Sequence, residues 1–172
     1  SDHIGLDKFS TQLLFNRKIE TVKQLKTFLT PNPESLIDPY DLPEMELAIK
    51  RIQTAVVNNE HIGIFGDFDV DGISATAILL ATLNDFGIST FPYIPNRISE
   101  GHGLNFKALD YFKSNQVSLI ITVDCGTTDI KEVSHAKSMG IDVIITDHHL
   151  PQENRPDSAA LINPNLPESQ YS

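Results

Sequence analysis

Short apolar runs alternate with amphipathic stretches along the chain from about residue 61 onward. Apolar runs bounded by turn residues are typical of buried strands, whereas apolar residues spaced three or four apart are typical of helices. The pattern predicts strands at 62–65, 88–94, 118–123, 142–146 and 160–162, and helices at 73–86, 104–114 and 127–139. Strands and helices that alternate in this way form parallel sheets covered by helices. We therefore predict an α/β fold, with a parallel sheet and helices on both of its faces.

The first sixty residues follow a helical pattern instead. Apolar residues recur at helical spacing through 11–30, and a second apolar face runs from Met45 to about Asn58. Pro43 suits the first turn of that second helix. The change of pattern predicts two parts, a short helical N-terminal segment at 1–60 and an α/β domain at 61–172.

Composition narrows the class of protein. The 172 residues are enough for one domain with a sizeable core. A formal net charge of −10 argues against a simple basic nucleic-acid-binding module, but not against an enzyme that holds phosphate through metal ions. Cys125 is the only cysteine, no apolar run reaches membrane-spanning length, and the first residues show no signal-peptide pattern. We therefore expect a cytoplasmic protein without a membrane segment.

Three aspartates at alternate positions are the most informative polar feature. Asp67, Asp69 and Asp71 lie between the strand predicted at 62–65 and the helix predicted at 73–86. Alternate side chains of an extended segment point to one side, so we expect the three carboxylates to crowd together. A hard divalent cation bound through oxygen relieves such repulsion. The sequence therefore predicts a metal site.

Two more polar clusters follow predicted strands. Asp124 comes directly after one strand, and Asp147-His148-His149 directly after the next along the chain. Because the carboxyl ends of parallel strands lie along one edge of a sheet, we expect all three clusters to converge. Carboxylates with imidazoles suit Mn²⁺ or Mg²⁺, and several carboxylates together often hold two ions. Adjacent residues of an extended segment point to opposite sides, so we expect His148 and His149 to have separate roles, one on metal and one on phosphate.

Other interpretations stay open for these residues. An aspartate after a strand is often a helix N-cap or a turn former, which applies to Asp124 taken alone. The run from Asp67 to Gly72 also resembles the start of an EF-hand loop. However, the twelfth loop position is apolar here, where an EF-hand needs a bidentate glutamate.

The loop at 95–103 is a further candidate region. It carries Arg97, Glu100 and two glycines just past a predicted strand. Arginine can bind phosphate oxygens through two parallel hydrogen bonds, so Arg97 is a candidate phosphate ligand. The alternative is a solvated glycine-rich turn. His102, in the same loop, is expected to be a surface or packing residue.

Several segments together resemble the motifs of one enzyme superfamily. The four main ones are Gly66–Thr76, Arg97–Gly103, Val123–Gly126 and Thr146–His149. In this order they resemble the motifs of the DHH phosphoesterase superfamily, which is named for its Asp-His-His sequence. A closer resemblance is to the RecJ family of single-stranded-DNA-specific exonucleases within that superfamily, through the segments 13–17, 28–31, 37–39, 45–52 and 161–164.

The resemblance implies a set of metal ligands. Asp69 would bind one metal ion and Asp71 the other, with Asp124 bridging them. His148 would be a further ligand, and Asp67 an additional ligand or a supporting residue.

The resemblance also implies three catalytic residues. His149 would contact the scissile phosphate, and Arg97 would bind phosphate of the substrate strand. Asp147 would orient His148 for its metal.

The implied activity is that of a metal-dependent phosphodiesterase with two Mn²⁺ or Mg²⁺ ions, a 5′→3′ exonuclease on single-stranded DNA in repair and recombination. Single-stranded DNA is the expected partner, with a helicase or a single-strand-binding protein as candidate protein partners. Two alternatives stay open: a DHH phosphodiesterase of short oligonucleotides or cyclic dinucleotides, and a non-catalytic DHH binding module. The family site includes a later aspartate that is not reached by Ser172. We therefore expect a fragment, with the domain at 61–172 incomplete at its C-terminus and the activity of this piece alone in doubt.

Overall fold

The computed structural model describes residues 5–30, 32 and 36–169. It forms two compact units that divide after Asp38. Residues 1–4 of the predicted N-terminal segment and residues 170–172 of the predicted α/β domain lie outside the described residues. Pro31, in the segment 28–31, also lies outside them.

The first unit holds two short helices, α1 (Lys8–Asn16) and α2 (Val22–Leu29). The carboxylate of Asp7 caps α1, and Thr21 with Gln24 forms a reciprocal capping box at the start of α2. A turn in which Lys18 has a φ of 61° separates the helices. The helical spacing predicted through 11–30 is therefore shared between two helices.

The second unit contains the sheet. Its elements are a 3₁₀ turn (Pro39–Asp41), α3 (Met45–Val57), β1 (His61–Gly66), α4 (Val70–Asp85), β2 (Thr90–Tyr93), α5 (Phe106–Ser114), β3 (Val117–Val123), α6 (Ile130–Ser138), β4 (Asp142–Thr146) and β5 (Ala160–Ile162). The five strands are parallel, in the order β2-β1-β3-β4-β5. The predicted α/β class is thereby confirmed. The boundary proposed between residues 60 and 61 stays a prediction, and α3 lies in the same unit as the sheet.

Apolar side chains cover both faces of the sheet. Alternate strand residues point to opposite faces, so Ile120 packs with α5 and α6 whereas Ile121 packs with α3 and α4. Residues buried on both sides explain why β3 and β4 are almost continuously apolar in sequence. Within the described ranges, no helix is long and apolar enough to cross a membrane.

The strand order places a crevice at one point of the sheet edge. From β1 the chain first adds β2 on one side, and it then returns to add β3 on the other. In open sheets of this order, ligands bind outside the carboxyl ends of the strands at the point where the order reverses. That point lies between the carboxyl ends of β1 and β3, which are aligned because Gly66 pairs with Val123.

Candidate metal centre

Three aspartates extend the sheet ladder beyond the ends of neighbouring strands. The backbone N–H of Asp67 donates to Val123 O (3.3 Å), and that of Asp124 donates to Thr146 O (2.9 Å). The N–H of Asp147 likewise donates to Ile162 O (3.0 Å). The ladder therefore places three acidic residues side by side along the carboxyl edge of the sheet, as the sequence predicted, and Asp67 and Asp124 lie at the switch point.

The first cluster is formed by Asp67, Asp69 and Asp124, which each offer a carboxylate oxygen within 4.8 Å of the others. The side chain of Asp67 is only 5% exposed. Its Oδ1 is buried and has no hydrogen-bond partner among the residues that the structure describes. A buried carboxylate oxygen without a partner is costly, and a bound cation would satisfy it.

Asp69 serves two purposes in this cluster. Its Oδ1 accepts from the backbone N–H of Asp71 (2.9 Å) and of Gly72 (3.1 Å), so Asp69 is the N-cap of α4. The hydrogen bond from Gly72 is the main cause that lowers the pKa of Asp69. The cap holds the carboxylate in its charged form beside Asp124.

The surroundings of Asp124 shift its pKa upward, in the opposite direction to the shift of Asp69. Burial raises its pKa, the nearby Asp69 carboxylate adds to the rise, and His148 partly offsets it. Asp124 also has a φ of 64°, a left-handed conformation that is uncommon for residues other than glycine and recurs at functional sites. Two neighbouring carboxylates, one of them partly buried and in a left-handed conformation, form a site whose charge a cation would stabilise.

The second cluster joins Asp124 to His148 and His149, again with ligand atoms within 4.8 Å of one another. His148 Nε2 lies 2.9 Å from Asp124 Oδ1. The two imidazole rings lie 4.7 Å apart, centroid to centroid. The expectation that these histidines point to opposite sides is therefore wrong, because β4 ends at Thr146 and the backbone N–H groups of both histidines turn towards the side chain of Asp147.

Asp147 shapes that segment into a turn. Its Oδ1 accepts from the backbone N–H of His148 (2.7 Å) and of His149 (3.0 Å), and it also contacts His149 Nδ1 (2.7 Å). Burial raises the pKa of Asp147, but hydrogen bonds from Thr127 and His149 outweigh burial and leave it lowered. The hydrogen bond between Asp147 and His149 also raises the pKa of His149. Asp147 thus orients the ring of His149, whereas it contacts His148 at the backbone N–H.

A buried asparagine that the sequence did not single out for the site braces this turn. Asn163 has no exposed surface, and its Nδ2 donates to His149 O (2.8 Å) and to Thr127 Oγ1 (2.9 Å). Thr127 in turn donates its backbone N–H to Asp147 Oδ2 (2.9 Å). Asn165 Nδ2 donates to His148 O. The turns after β3, β4 and β5 are therefore joined by side-chain hydrogen bonds.

Asp71 and Arg97 lie outside both clusters. The segment after β1 is extended only briefly, and Asp71 lies in the first turn of α4. The expectation of three carboxylates on one side of an extended segment is therefore wrong for Asp71. The guanidinium carbon of Arg97 lies 5.2 Å from the ring centroid of Phe68, a cation–π distance.

His102 is a site neighbour that the sequence assigned to the surface or to packing. Its Nδ1 lies 3.0 Å from Asp67 Oδ2, and its ring centroid lies 4.2 Å from that of Phe68. In the sequence, the sign of a role at the site was the position of His102 between Gly101 and Gly103, in the same loop as Arg97. An isolated histidine 35 residues from its aspartate carries no spacing pattern.

The donor set fits a divalent cation. Part of this set, Asp67, Asp124 and His149, lines an open cleft of about 610 Å³ together with Gly126, Thr128 and Asp129 of the turn after β3. Carboxylate oxygens and imidazole nitrogens together suit Mn²⁺ and, with fewer nitrogens, Mg²⁺. The unpartnered Oδ1 of Asp67 and the facing carboxylates of Asp69 and Asp124 are the features that a cation would stabilise.

Comparison with known proteins agrees with this arrangement. The model for the N-terminal domain of the DHH family matches residues 61–172, well over half of the chain. The chain belongs to the DHH family. The resemblance inferred from the four motifs is thereby confirmed, and the aspartates and histidines of both clusters lie inside the matched DHH domain.

Relatives of this DHH chain are named single-stranded-DNA-specific exonuclease RecJ. The protein of Bacillus subtilis is 36% identical over 99% of this chain, and that of Escherichia coli is 38% identical over 76% of it. A crystal structure of exonuclease RecJ bound to manganese matches with a TM-score of 0.70 at 31% identity, over 77% of this chain and 34% of that one. The chain spans only 22% and 23% of the length of the two relatives.

Close packing of α4 against the first cluster leads to a prediction at Gly72. A Cβ at this position would lie 2.4 Å from both the backbone N and O of Asp67, which is too close for any side chain. We expect Gly72→Ala to lower the free energy of unfolding by about 2–3 kcal/mol, as overpacking does, and to weaken Mn²⁺ binding because Asp67 is displaced. Urea denaturation and calorimetric Mn²⁺ titration measure the two effects.

The exposed helix position Ala77 provides the control for Gly72. Ala77→Gly should cost about 1 kcal/mol through helix propensity and leave the Mn²⁺ affinity unchanged. Wild-type stability and wild-type Mn²⁺ affinity in Gly72→Ala would contradict the close packing of Gly72 on Asp67.

Proposed function

We propose that this chain is the metal-dependent catalytic part of a RecJ-like exonuclease, which hydrolyses single-stranded DNA in the 5′→3′ direction in repair and recombination. The observation that carries the proposal is the pair of clusters that share Asp124 at the switch point of the sheet. It is supported by the RecJ name of relatives 33–38% identical to the chain. The charge of −10 fits a site that holds phosphate through cations.

Five residues are proposed to hold two Mn²⁺ or Mg²⁺ ions. Asp67, Asp69 and Asp124 offer oxygens on one side, and His148 offers a nitrogen on the other side of Asp124. Asp71 is proposed as a ligand of the second ion, from its position in the first turn of α4. When bound, such ions lower the pKa of water and stabilise the charge of a phosphodiester under attack.

Three further residues are proposed to act on the substrate. Because Asp147 contacts His149 at Nδ1, the Nε2 atom of His149 is left for a phosphate oxygen. Asp147 supports the charged form of that imidazole, which a phosphate contact requires and a metal ligand does not. Arg97, exposed beside Phe68, is proposed to bind a phosphate of the substrate strand.

The remaining assignments follow from the same proposal. The segment up to residue 60 is proposed to be a lead that precedes the catalytic domain, and 61–172 is proposed to be the DHH domain. Single-stranded DNA is the nucleic-acid partner, and a helicase or single-strand-binding protein is the protein partner, because single strands must be separated and kept apart before they are cut. Such a protein acts in the cytoplasm, where bacterial DNA lies.

The test is hydrolysis of a 5′-phosphorylated oligothymidylate. We expect mononucleotides to be released from the 5′ end when Mn²⁺ is present, no release when EDTA is present, and little release from a blunt duplex of the same length. Preference for dinucleotides or cyclic dinucleotides over long single strands would favour the other DHH phosphodiesterases. Absence of both calorimetric Mn²⁺ binding and hydrolysis would favour the non-catalytic binding module and would reject the proposal.

A further inference from the structure

Asp129, which lines the same cleft as Asp67 and Asp124, makes an unusual contact. It occupies the N-cap position of α6, but its side chain makes no capping hydrogen bond. Instead, its Oδ2 accepts from the backbone N–H of Leu104, 2.6 Å away. Burial raises the pKa of Asp129 to about 6, so above that pH the charged carboxylate is held at a cost to the folded state. The hydrogen bond from Leu104 lowers the pKa and offsets part of that cost, so the carboxylate is directed at this loop and not at the start of α6.

The contact fastens the loop between β2 and α5, residues 94–105. This loop presents Arg97 beside Phe68 and meets the metal-site edge at His102, whose Nδ1 contacts Asp67. Two residues further along, Leu104 meets Asp129, so both contacts lie within one short stretch.

Gly103 connects these two contacts and packs directly on Asp129. It has a φ of 81°, in the left-handed region that favours glycine. A Cβ at this position would lie 2.8 Å from both carboxylate oxygens of Asp129. The close approach shows that the loop and the carboxylate fit each other, beyond a single hydrogen bond.

We propose that Asp129 is a positioning residue of the substrate side of the site: it holds the 94–105 loop so that Arg97 and His102 stay beside the metal clusters. The inference rests on the proposed function, since it assigns the loop to the substrate strand. Asp129 belongs to neither metal cluster, so it acts on the substrate through the loop and not through the metal.

Loss of the Asp129 carboxylate, which accepts from Leu104, should affect DNA affinity more than metal affinity. Without it the N–H of Leu104 has no partner in this contact, and the loop samples more conformations. The apparent Kd then rises by the factor by which the binding-competent fraction falls. The net contribution of a typical hydrogen bond corresponds to a change of about fivefold to tenfold.

The experiment compares Asp129→Ala with Asp129→Asn. The probe is a 5′-phosphorylated oligothymidylate with phosphorothioate linkages, and its Kd is measured by fluorescence anisotropy with Mn²⁺ present. We expect Asp129→Ala to raise the Kd about fivefold to tenfold, and Asp129→Asn to stay within about twofold because its amide oxygen still accepts from Leu104. The Mn²⁺ affinity of both variants should stay within about twofold of the wild type. Asp110→Ala, an exposed acid on α5, is the matched control and should change neither value.

Three results would overturn the proposal. These are an unchanged Kd in Asp129→Ala, a parallel loss of Mn²⁺ affinity, and failure of Asp129→Asn to restore binding. If Asp129→Ala does not fold, Gly103→Ala decides, since its Cβ pushes the loop from an intact Asp129 and must weaken binding to the same extent. If the wild type binds no oligothymidylate, the proposed function fails separately. Amide exchange at Leu104 then decides, because protection that persists in Asp129→Ala shows that Asp129 does not hold the loop.

Discussion

Replacing Asp124 with asparagine is expected to lower the Mn²⁺ affinity of the chain by at least about 100-fold and to abolish Mn²⁺-dependent hydrolysis. Asp124 is the residue that both clusters share, with Asp67 and Asp69 on one side and the two histidines on the other. An asparagine keeps the shape of the side chain but removes its charge and one of its two oxygens. Both clusters therefore lose the charge of their shared ligand at once.

The same substitution should not harm the fold. Burial and the Asp69 carboxylate raise the pKa of Asp124, and an acid whose pKa is raised on folding destabilises the folded state at neutral pH when ionised. Asparagine carries no charge, and it tolerates the φ of 64° at this position better than most residues. The melting temperature without metal should therefore equal or exceed that of the wild type.

Calorimetric Mn²⁺ titration, the oligothymidylate assay and thermal melting together check this prediction. Asp110→Asn on the exposed face of α5 is the matched control and should leave all three unchanged. Wild-type hydrolysis by Asp124→Asn would remove Asp124 from the mechanism. A large drop in melting temperature would instead show that its role is structural.

The sheet and the edge that carries the site could be predicted from sequence because each depends on a local pattern. Continuous apolar runs give buried parallel strands, and an acidic residue after such a run is placed at the carboxyl edge. This logic placed Asp67, Asp124 and Asp147 side by side, as their backbone hydrogen bonds now show. Strand order was not predicted, because it depends on which strands pair.

The orientation of individual side chains could not be predicted in the same way. The extended geometry assumed for Asp71 and for the two histidines fails because side-chain hydrogen bonds end the extended backbone. Asp69 starts α4 at Val70, three residues earlier than the apolar pattern indicated, and this places Asp71 in a helix. Asp147 turns the chain so that the rings of His148 and His149 come together.

Contacts between distant segments were also beyond a one-dimensional pattern. The contacts of His102 with Asp67, of Leu104 with Asp129 and of Asn163 with Thr127 join residues 35, 25 and 36 positions apart. Each depends on how a loop returns over the sheet edge. Their residue types carry no spacing signal of their own.

Asn163→Ala is expected to combine a loss of stability with a loss of metal affinity. The amide of Asn163 is fully buried, and its removal leaves His149 O and Thr127 Oγ1 without that donor and the N–H of Asn165 without its acceptor. Buried polar groups left unsatisfied cost about 1–3 kcal/mol each, so we expect a loss of about 2–4 kcal/mol in the free energy of unfolding. The turn that carries both histidines is then released on its β5 side, and Mn²⁺ affinity should fall about tenfold or more.

Asn165→Ala provides the matched control, because Asn165 donates to the neighbouring carbonyl of His148 but is exposed. Water can replace an exposed donor, so this variant should lose no more than about 1 kcal/mol and little Mn²⁺ affinity. Urea denaturation followed by circular dichroism measures the loss of stability. Mn²⁺ titration without urea, at a temperature where both variants are folded, measures the loss of affinity separately. Equal losses in both variants would show that burial of Asn163 is not what holds the turn. A destabilised Asn163→Ala with wild-type Mn²⁺ affinity would show that the histidines keep their positions without it.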